Sequence, residues 1–338
     1  MKRILVTRFS AMGDVAMVAS VLKEFQAQHM DTEIIMVSRK LFKAFFEHIP
    51  RVIFHTIDPK VKHRGIEGLF RLFQELRAYK PDFVADLHNN LRSNVLNKLF
   101  AWRGYPVRIL DKGRAAKKEL IRKRNKILKP LRPMTECYAD VFRQFGFAMD
   151  LSHHLQKEPR LIPNGLLGLL ASDQIKIGVA PFAQHPYKVF DLESMEQVIQ
   201  YLSENNYTVF LFGGGTKEKE IGEEWRKKYA GVQNTIGQFS LRQELDIIAH
   251  LDLMISMDSA GMHMASLMGT RCVSIWGATH PFAGFLGYGQ SLEDCIQVEH
   301  PNRPSSIYGN KPCDCDGVEA IDLVTSGMVI QHINKICG

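Results

Sequence analysis

The feature that most constrains the fold is an alternation of short apolar runs with amphipathic stretches, present in both halves of the 338-residue chain. In the first half the apolar runs predict strands over 4–9, 33–37, 52–57, 82–87 and 107–110, and the amphipathic stretches predict helices over 15–28 and 66–79. In the second half the alternation predicts strands over 175–179, 207–212, 251–257 and 272–276, and helices over 193–204, 218–229, 241–249, 261–268 and 318–336. Strands that alternate with helices form βαβ units and parallel sheets. We therefore predict an α/β protein with two Rossmann-like domains.

The chain is longer than one hydrophobic core usually serves, which favours two domains. Proline and glycine punctuate residues 158–165 and predict a linker there. The predicted domains are 1–165 and 170–338, and the last helix is able to pack back on the first domain. We expect the two parallel sheets to face each other across a cleft, with functional residues beyond the carboxyl ends of the strands.

The charge is distributed unevenly. Residues 1–165 hold 31 of the 43 Lys and Arg residues but only 16 of the 36 Asp and Glu residues, a net +15 against −8 for the remainder. A basic half fits an anionic partner, namely nucleic acid, an anionic membrane face or a phosphorylated glycolipid.

The densest charge lies in residues 108–132, which carry 11 basic and two acidic side chains. Five apolar residues of this segment are predicted to line one face of a basic helix that suits an anionic membrane surface: Leu120, Ile121, Ile127, Leu128 and Leu131. The plain alternative is a solvated charged face.

Two features bear on the compartment. No apolar run approaches the ~20 residues that cross a bilayer, and Arg8 and Asp14 interrupt the signal-like start, so we expect a cytoplasmic protein. The six cysteines do not form a disulfide pattern, and we interpret Cys313 and Cys315 as reduced thiols in a loop. The triplet 314–316 spells D-x-D, but it lies far from any predicted strand end, so we do not assign a metal to it.

The first strand-to-helix junction reads Ser10-Ala11-Met12-Gly13-Asp14. It lacks the G-x-G-x-x-G of dinucleotide-binding proteins and is not a Walker A loop. Its glycine turn places a carboxylate at the start of a helix. Asp14 is either a helix cap or a general base that removes a hydroxyl proton.

Two junctions of the second half carry weaker signals. Residues 213–216 form a glycine-rich turn at which Gly214 lets a ligand approach and Glu218 can accept hydrogen bonds from a ribose. The alternative for Glu218 is an ordinary acid of the first helical turn. Lys188 ends the loop 181–188 and can neutralise a leaving diphosphate, unless it is a solvent-facing lysine.

The most specific junction is residues 257–263, where a buried strand runs into a helix of small and apolar residues. The N–H groups of Ser259, Ala260 and Gly261 are predicted to point at one spot, which is typical of a diphosphate site. His263 lies one turn further along and can donate to the same phosphates; on its own it would be interpreted as a core histidine.

Taken together, these junctions resemble glycosyltransferase family 9, the bacterial heptosyltransferases, over essentially the whole chain. The family pattern is D-[ST]-[GA]-x-x-H, then a small-apolar helix, a strand and a G-x-T-x-P loop. Residues 258–263 match the first part, and Gly277, Thr279 and Pro281 match the loop. Ser259-Ala260 replaces the Thr-Gly of some members, and residues 301–317 fit less clearly, so the resemblance does not fix the donor sugar.

The resemblance implies a GT-B fold and an inverting, metal-independent transfer of a sugar, with heptose from ADP-heptose as the expected donor and a lipopolysaccharide inner core or related glycolipid as the acceptor. It assigns Asp14 as the catalytic base. The expected donor contacts are Met12, Gly13, Lys188, Gly214, Glu218, Asp258, Ser259, Ala260, Gly261 and His263. The expected acceptor contacts are Arg8, Ser10, Asn89 and Arg92. No metal and no other cofactor is expected, and the protein would be peripheral on the inner face of the cytoplasmic membrane.

Two alternatives stay open. One is a GT-B enzyme that uses another nucleotide-sugar in cell-surface polysaccharide synthesis. The other is a non-catalytic protein that binds anionic glycolipid or nucleic acid. Residues 108–132 contain no aromatic residue, which counts against nucleic acid.

Overall fold

The computed structural model describes residues 1–163, 165–171 and 173–338, without the side chain of Leu169. Asn164, part of the linker predicted from the sequence, lies outside the described residues. The chain divides into two compact units: Met1–Gly113 with Arg132–Ser152, and Arg114–Leu131 with His153–Gly338. No helix of the part described is long and apolar enough to cross a membrane.

The first part of the chain forms a five-stranded parallel sheet with helices between its strands. In chain order the elements are β1 (Lys2–Thr7), α1 (Met12–Gln28), β2 (Thr32–Arg39), β3 (Val52–Ile57), α2 (Gly65–Arg77), β4 (Phe83–Asp86), α3 (Leu91–Trp102), β5 (Val107–Ile109), α4 (Arg114–Leu120) and α5 (Met134–Arg143). The strand order is β3-β2-β1-β4-β5. Leu5, Ile35 and Val84 of the sheet pack against Leu72 and Phe73 of α2 to form the core of this unit.

The second unit forms a six-stranded parallel sheet. Its elements are α6 (Leu167–Leu170), β6 (Lys176–Ala180), α7 (Leu192–Glu204), β7 (Thr208–Leu211), α8 (Thr216–Lys228), β8 (Val232–Asn234), α9 (Leu241–Ala249), β9 (Leu253–Met257), α10 (Ala260–Met268), β10 (Cys272–Ile275), β11 (Cys295–Ile296), β12 (Asp314–Cys315), β13 (Val318–Glu319) and α11 (Ser326–Cys337). The strand order is β11-β10-β9-β6-β7-β8, with β12 and β13 as a separate antiparallel pair.

Both parallel sheets are doubly wound in the Rossmann manner, which confirms the predicted pair of Rossmann-like units. In each sheet the strand order reverses once, between β1 and β4 in the first unit and between β6 and β9 in the second. Ligands of such sheets bind beyond the carboxyl ends of the strands at this switch point. The switch points therefore mark where each unit is built to bind a ligand.

All predicted strands are present, with ends within two residues of the predicted ones. The prediction of one helix over 318–336 is wrong. The segment starts as strand β13, makes a short 3₁₀ turn over Ala320–Leu323, and becomes helical only at Ser326. The break occurs because β13 pairs with β12, and the Thr325 hydroxyl then caps α11 by accepting from the Met328 N–H at 3.3 Å. Helix α11 packs within the second unit, where Tyr201 of α7 donates to Asn334 at 2.8 Å.

The predicted long basic helix over 108–132 is also wrong. Only α4 is helical, and Ile127 and Leu128 are 53% and 44% exposed, so the five apolar residues do not share one face. Leu120, Ile121 and Leu131 instead pack with Ala283, Phe285 and Ile307. This packing is why residues 114–131 belong to the second unit, whereas the sequence-based boundary kept them in the first.

The D-x-D triplet and its cysteines lie in the β12–β13 hairpin. Asp316 and Gly317 form its two-residue turn with φ of 54° and 82°, the left-handed values that such a turn requires. The six cysteines are not paired in disulfides.

Candidate functional site

Asp14 lies at the switch point of the first unit, just beyond β1. It is the third residue of α1, and its Oδ2 accepts from the Ala11 N–H at 3.3 Å, so it does cap the helix. The same carboxylate also has two side-chain partners. Arg8 Nη2 lies 2.5 Å from Oδ2, and the Tyr138 hydroxyl donates to Oδ1 at 3.3 Å. The Asp14 side chain is 24% exposed, so a carboxylate held at both oxygens still reaches solvent.

Arg8 is a buried residue whose guanidinium is committed to this unit. Its Nη1 donates to the Leu87 carbonyl at 2.8 Å, and the guanidinium lies 5.7 Å from the Tyr138 ring centroid. Arg8 therefore orients Asp14; its contact with the acceptor stays a prediction. Burial raises the pKa of Tyr138 well above its ordinary value, so the phenol keeps the proton that it donates. No sequence pattern points to Tyr138, which lies 124 residues away from Asp14.

The other side of this switch point is the turn after β4. Asp86 is fully buried and accepts from the Thr7 hydroxyl at 3.0 Å, the His88 and Asn89 N–H groups at 2.8 and 3.0 Å, and the Asn97 amide at 2.6 Å. A buried carboxylate with four donors is a structural anchor for the turn. His88 is buried beside it, and burial, reinforced by the charge of Arg8, lowers its pKa to about 4.

The remaining acceptor-side predictions fall at the same edge of the sheet. Asn89 has a left-handed backbone, and its amide donates to the Leu110 carbonyl at 2.8 Å. Arg92 is exposed in the first turn of α3, and Ser10 is half-buried before α1. Met12 and Gly13, predicted for the donor, are the half-buried first residues of α1.

Lys188 and Asp258 meet at the switch point of the second unit. Lys188 Nζ lies 2.6 Å from Asp258 Oδ2 and donates to the Asp258 carbonyl at 2.9 Å. The Thr279 hydroxyl donates to the same Oδ2 at 2.8 Å. The side chains of Lys188 and Asp258 are only 15% and 5% exposed, so Lys188 is not the solvent-facing lysine of the plain alternative.

The start of α10 follows Asp258 directly. Ser259 precedes the helix in an extended backbone, and His263 is buried one turn into it. A Cβ on Gly261 would lie 2.7 Å from both the Ala180 Cβ and the Ser256 Oγ, so this glycine lets α10 approach the sheet closely. The first N–H groups of the helix thus end up beside the carboxyl ends of β6 and β9, where a diphosphate is best stabilised.

The glycine turn after β7 holds Gly214 and Glu218 together. Glu218 Oε2 accepts from the Gly214 N–H at 2.6 Å, and Gly215 has a φ of 100° at the start of α8. A Cβ on Gly213 would lie 2.7 Å from the same Oε2. One oxygen of Glu218 therefore closes the turn, and the side chain stays partly exposed.

The G-x-T-x-P loop after β10 is tied to the segment that carries Lys188. The Ala278 N–H donates to the Tyr187 carbonyl at 3.1 Å, and a Cβ on Gly277 would lie 2.6 Å from that oxygen. His280 ends this contact region, and burial, with the nearby charges of Arg303 and Lys126, lowers its pKa to about 4. The loop thereby holds Thr279 at the carboxylate of Asp258.

The two switch points offer complementary chemistry. The first presents an oriented carboxylate that can take a proton, and the second presents a lysine and a helix start that suit a diphosphate. In the residues that the structure covers, no cluster of three His, Cys, Asp or Glu side chains is arranged to hold a metal ion.

Comparison with known proteins gives consistent results. The sequence matches the family described as "Glycosyltransferase family 9 (heptosyltransferase)" over residues 69–307. The lipopolysaccharide core heptosyltransferase OpsX of Haemophilus influenzae is 22% identical, over 83% of this chain and 80% of its own length. Lipopolysaccharide heptosyltransferase 2 of Escherichia coli is 26% identical, over 82% and 84% of the two chains.

Solved structures share the fold over almost the full length. A glycosyl transferase family 9 protein of Veillonella parvula has a TM-score of 0.75 at 21% identity, covering 99% of this chain and 97% of its own. Escherichia coli heptosyltransferase WaaC, solved with ADP-2-deoxy-2-fluoro heptose, has a TM-score of 0.68 at 18% identity, covering 98% and 99%. The predicted two-domain fold and the predicted family resemblance are both confirmed.

Proposed function

The chain belongs to glycosyltransferase family 9, and on that premise we propose that this glycosyltransferase moves heptose from ADP-heptose to a lipopolysaccharide inner core or a related glycolipid. The family match and the relatives' names support the enzyme class and the acceptor class. WaaC was solved with ADP and with an ADP-heptose analogue, which supports the adenine donor.

The observation that carries the proposal is the pairing of Lys188 with Asp258 beside the start of α10, at the switch point of the second unit. Two contacts to Asp258 use two of the three N–H groups of the ammonium. The third is then the donor for a phosphate oxygen. Together with the helix-start N–H groups and His263 it stabilises the negative charge of the departing diphosphate.

In the proposed reaction the acceptor hydroxyl forms a bond to the anomeric carbon as the bond from that carbon to the diphosphate oxygen breaks. Attack from the face opposite the nucleotide inverts the anomeric configuration. Asp14 takes the hydroxyl proton, and ADP leaves with the bonding electron pair. Because the lysine supplies positive charge and the histidine and the helix start supply hydrogen-bond donors, the proposed transfer is metal-independent and uses no cofactor. Glu218 is proposed to contact the ribose; Ser10, Asn89 and Arg92 are proposed for the acceptor.

The test is calorimetric titration with ADP, UDP, GDP and CMP in EDTA. We expect ADP to bind selectively and Asp258→Ala to lose that binding. Asp314→Ala is the matched control, because Asp314 is an exposed acid of the D-x-D hairpin. Selective binding of UDP would keep the glycosyltransferase and discard the heptose donor. Loss of ADP binding in EDTA that Mg²⁺ restores would contradict metal independence, and no binding of any nucleotide would contradict the proposed reaction.

We further propose that the protein works in the cytoplasm, peripheral on the inner face of the cytoplasmic membrane. Ile127 and Leu128 are exposed among the basic residues 122–124 and Lys129. Apolar side chains flanked by cations suit an anionic lipid surface. The protein is expected to co-sediment with phosphatidylglycerol vesicles but not phosphatidylcholine vesicles, and Ile127→Ser with Leu128→Ser is expected to weaken that binding. Equal binding to both kinds of vesicle would contradict the proposed membrane association.

A further inference from the structure

Residues 301–310, which the family resemblance did not place, form a loop packed against the donor-side junctions of the second unit. Arg303 Nε donates to the Gly277 carbonyl at 2.8 Å, and the Ser305 N–H donates to the Ala278 carbonyl at 3.1 Å. Lys126 Nζ fixes the loop from the other side through the carbonyls of Asn302 and Pro304, at 2.8 and 2.9 Å. The loop is therefore anchored to the G-x-T-x-P segment.

The tip of this loop touches the stem of Lys188. A Cβ on Gly309 would lie 2.4 Å from the Lys188 Cγ, 3.0 Å from its Cδ and 2.9 Å from its Cε. Real Cβ contacts are essentially never that short, so any other residue at this position would push the whole lysine stem aside. The bare glycine backbone is thus the surface on which the stem lies.

Ser306 fixes the position of that glycine. Its hydroxyl oxygen accepts from the N–H groups of Tyr308, Gly309 and Asn310 at 3.1, 3.0 and 3.3 Å, and its proton goes to the Asn310 side chain at 2.7 Å. Gly309 also has a φ of 75°, the left-handed region that glycine adopts without strain. The turn is therefore closed around one serine.

The ammonium at the end of the stem has little freedom. It is fixed by Asp258 through Oδ2 and the carbonyl, and Asp258 is held in turn by Thr279. A shift of the stem by a few tenths of an ångström changes both distances and the direction of the third N–H group. Charge-assisted hydrogen bonds depend on such geometry.

We propose that Gly309 and Ser306 form a lysine seat, a turn that positions Lys188 and so sets the affinity of the second unit for a nucleoside diphosphate. The inference rests on the proposed function, because it takes Lys188 to be the diphosphate contact. Both are positioning residues, since they act through Lys188. The seat also gives residues 301–310 a role in the donor site.

The test is the dissociation constant for ADP of Gly309→Ala, measured by calorimetry. We expect it to rise about tenfold, equivalent to one displaced charge-assisted hydrogen bond. Gly104→Ala is the matched control, because Gly104 has a φ of 83° and nothing within 4 Å of its Cβ position. It carries the same backbone penalty without the lysine contact, and we expect its ADP affinity to be unchanged.

A double-mutant cycle separates the seat from general strain. In a Lys188→Ala background the stem is gone, so Gly309→Ala is expected to cost no further ADP affinity. Additive losses would overturn the inference while leaving the proposed function intact. Ser306→Ala, expected to weaken ADP binding about threefold by the loss of a hydrogen-bond hub, serves if Gly309→Ala does not fold.

The same cycle, followed by denaturant unfolding without ligand, keeps the seat testable even if the wild type fails to bind ADP. Failure to bind ADP would contradict the proposed function alone. In the wild type, Gly309→Ala should then lower the free energy of unfolding more than Gly104→Ala does. In the Lys188→Ala background, the two substitutions should lower it equally. If Gly309→Ala lowers the free energy of unfolding equally in both backgrounds, the lysine seat is overturned.

Discussion

The switch points of the two units have the same topology and opposite chemistry. In the first, a carboxylate is presented and a buried cation holds it, since Arg8 and Tyr138 bind the two oxygens of Asp14. In the second, a cation is presented and a buried carboxylate holds it, since Asp258 binds Lys188. Each functional group is fixed by a partner of opposite charge that lies deeper in its own unit.

This contrast runs against the charge of the surrounding sequence. The basic half, with a net +15 over residues 1–165, presents the acid, and the acidic remainder presents the lysine. Net charge describes the long-range field that attracts a partner, whereas the group that reacts is set by contacts of a few ångströms. The two scales have to be interpreted separately.

The largest expected effect comes from Asp14→Asn, which removes the proton acceptor and keeps its shape. We expect kcat/KM to fall about a thousandfold, within the range of a lost general base. Because the proposed donor contacts of Lys188 and Asp258 lie in the second unit, the dissociation constant for ADP should be unchanged. If Asp14→Asn loses as much ADP affinity as turnover, the assignment of proton transfer to the first unit and of donor binding to the second is contradicted.

Lys188→Met tests the opposite arrangement. It removes the cation and leaves Asp258 buried without its partner, so we expect ADP to bind about a hundredfold more weakly. The free energy of unfolding should fall by about 3 kcal/mol, because breaking a buried ion pair leaves an uncompensated charge. Lys228→Met is the control: Lys228 pairs with Glu196 on the surface, and its loss should leave ADP affinity intact. Equal effects of both variants would contradict the role of Lys188.

Much of this arrangement was predictable from the sequence, and for a definite reason. Apolar periodicity located the strands, and parallel topology then placed Asp14, Lys188 and Asp258 in the segments that follow the strands, at the carboxyl edges of the sheets. The partners of these residues were not predictable. Tyr138 reaches Asp14 from a helix 124 residues away, and the pairing of Arg8 with Asp14 depends on burial, which the sequence does not show.

The prediction of a basic helix over residues 108–132 was wrong for a related physical reason. Its apolar residues have approximate helical spacing, but Leu120 and Leu131 gain more by packing with Ala283 and Ile307 of the second unit than by lining one helix face. Local pattern predicts an element when nothing distant competes for the same side chains. Here the tertiary contact is the more stable arrangement and replaces the helix face.

The buried histidines His88 of the first unit and His280 of the second extend the comparison to stability in acid. Burial lowers the pKa of His88 and of His280 to about 4, below the ordinary value near 6.5. The unfolded chain therefore binds protons that the folded chain does not between those values, and stability falls as pH drops through this window. From pH 7 to pH 5 each histidine should cost about 2 kcal/mol.

Denaturant unfolding of His88→Gln and His280→Gln at both pH values measures this loss. Each substitution should remove its own share of the pH dependence, and the double variant should remove both. An unchanged pH dependence in His88→Gln would show that the first unit owes its acid sensitivity to another group.

The smallest expected effect is that of Tyr138→Phe, which removes one of the two side-chain contacts that orient Asp14. Arg8 still holds Oδ2, so only the 3.3 Å hydrogen bond to Oδ1 is lost, and kcat/KM should fall about fivefold with ADP affinity unchanged. Tyr229→Phe is the matched control, because Tyr229 donates to the Glu196 carboxylate at 2.8 Å in the second unit. It deletes the same kind of bond and should leave turnover intact. If Tyr138→Phe keeps full activity, Arg8 is the one side chain needed to orient the carboxylate, and the two switch points become more alike, each with a single oppositely charged partner for its functional group.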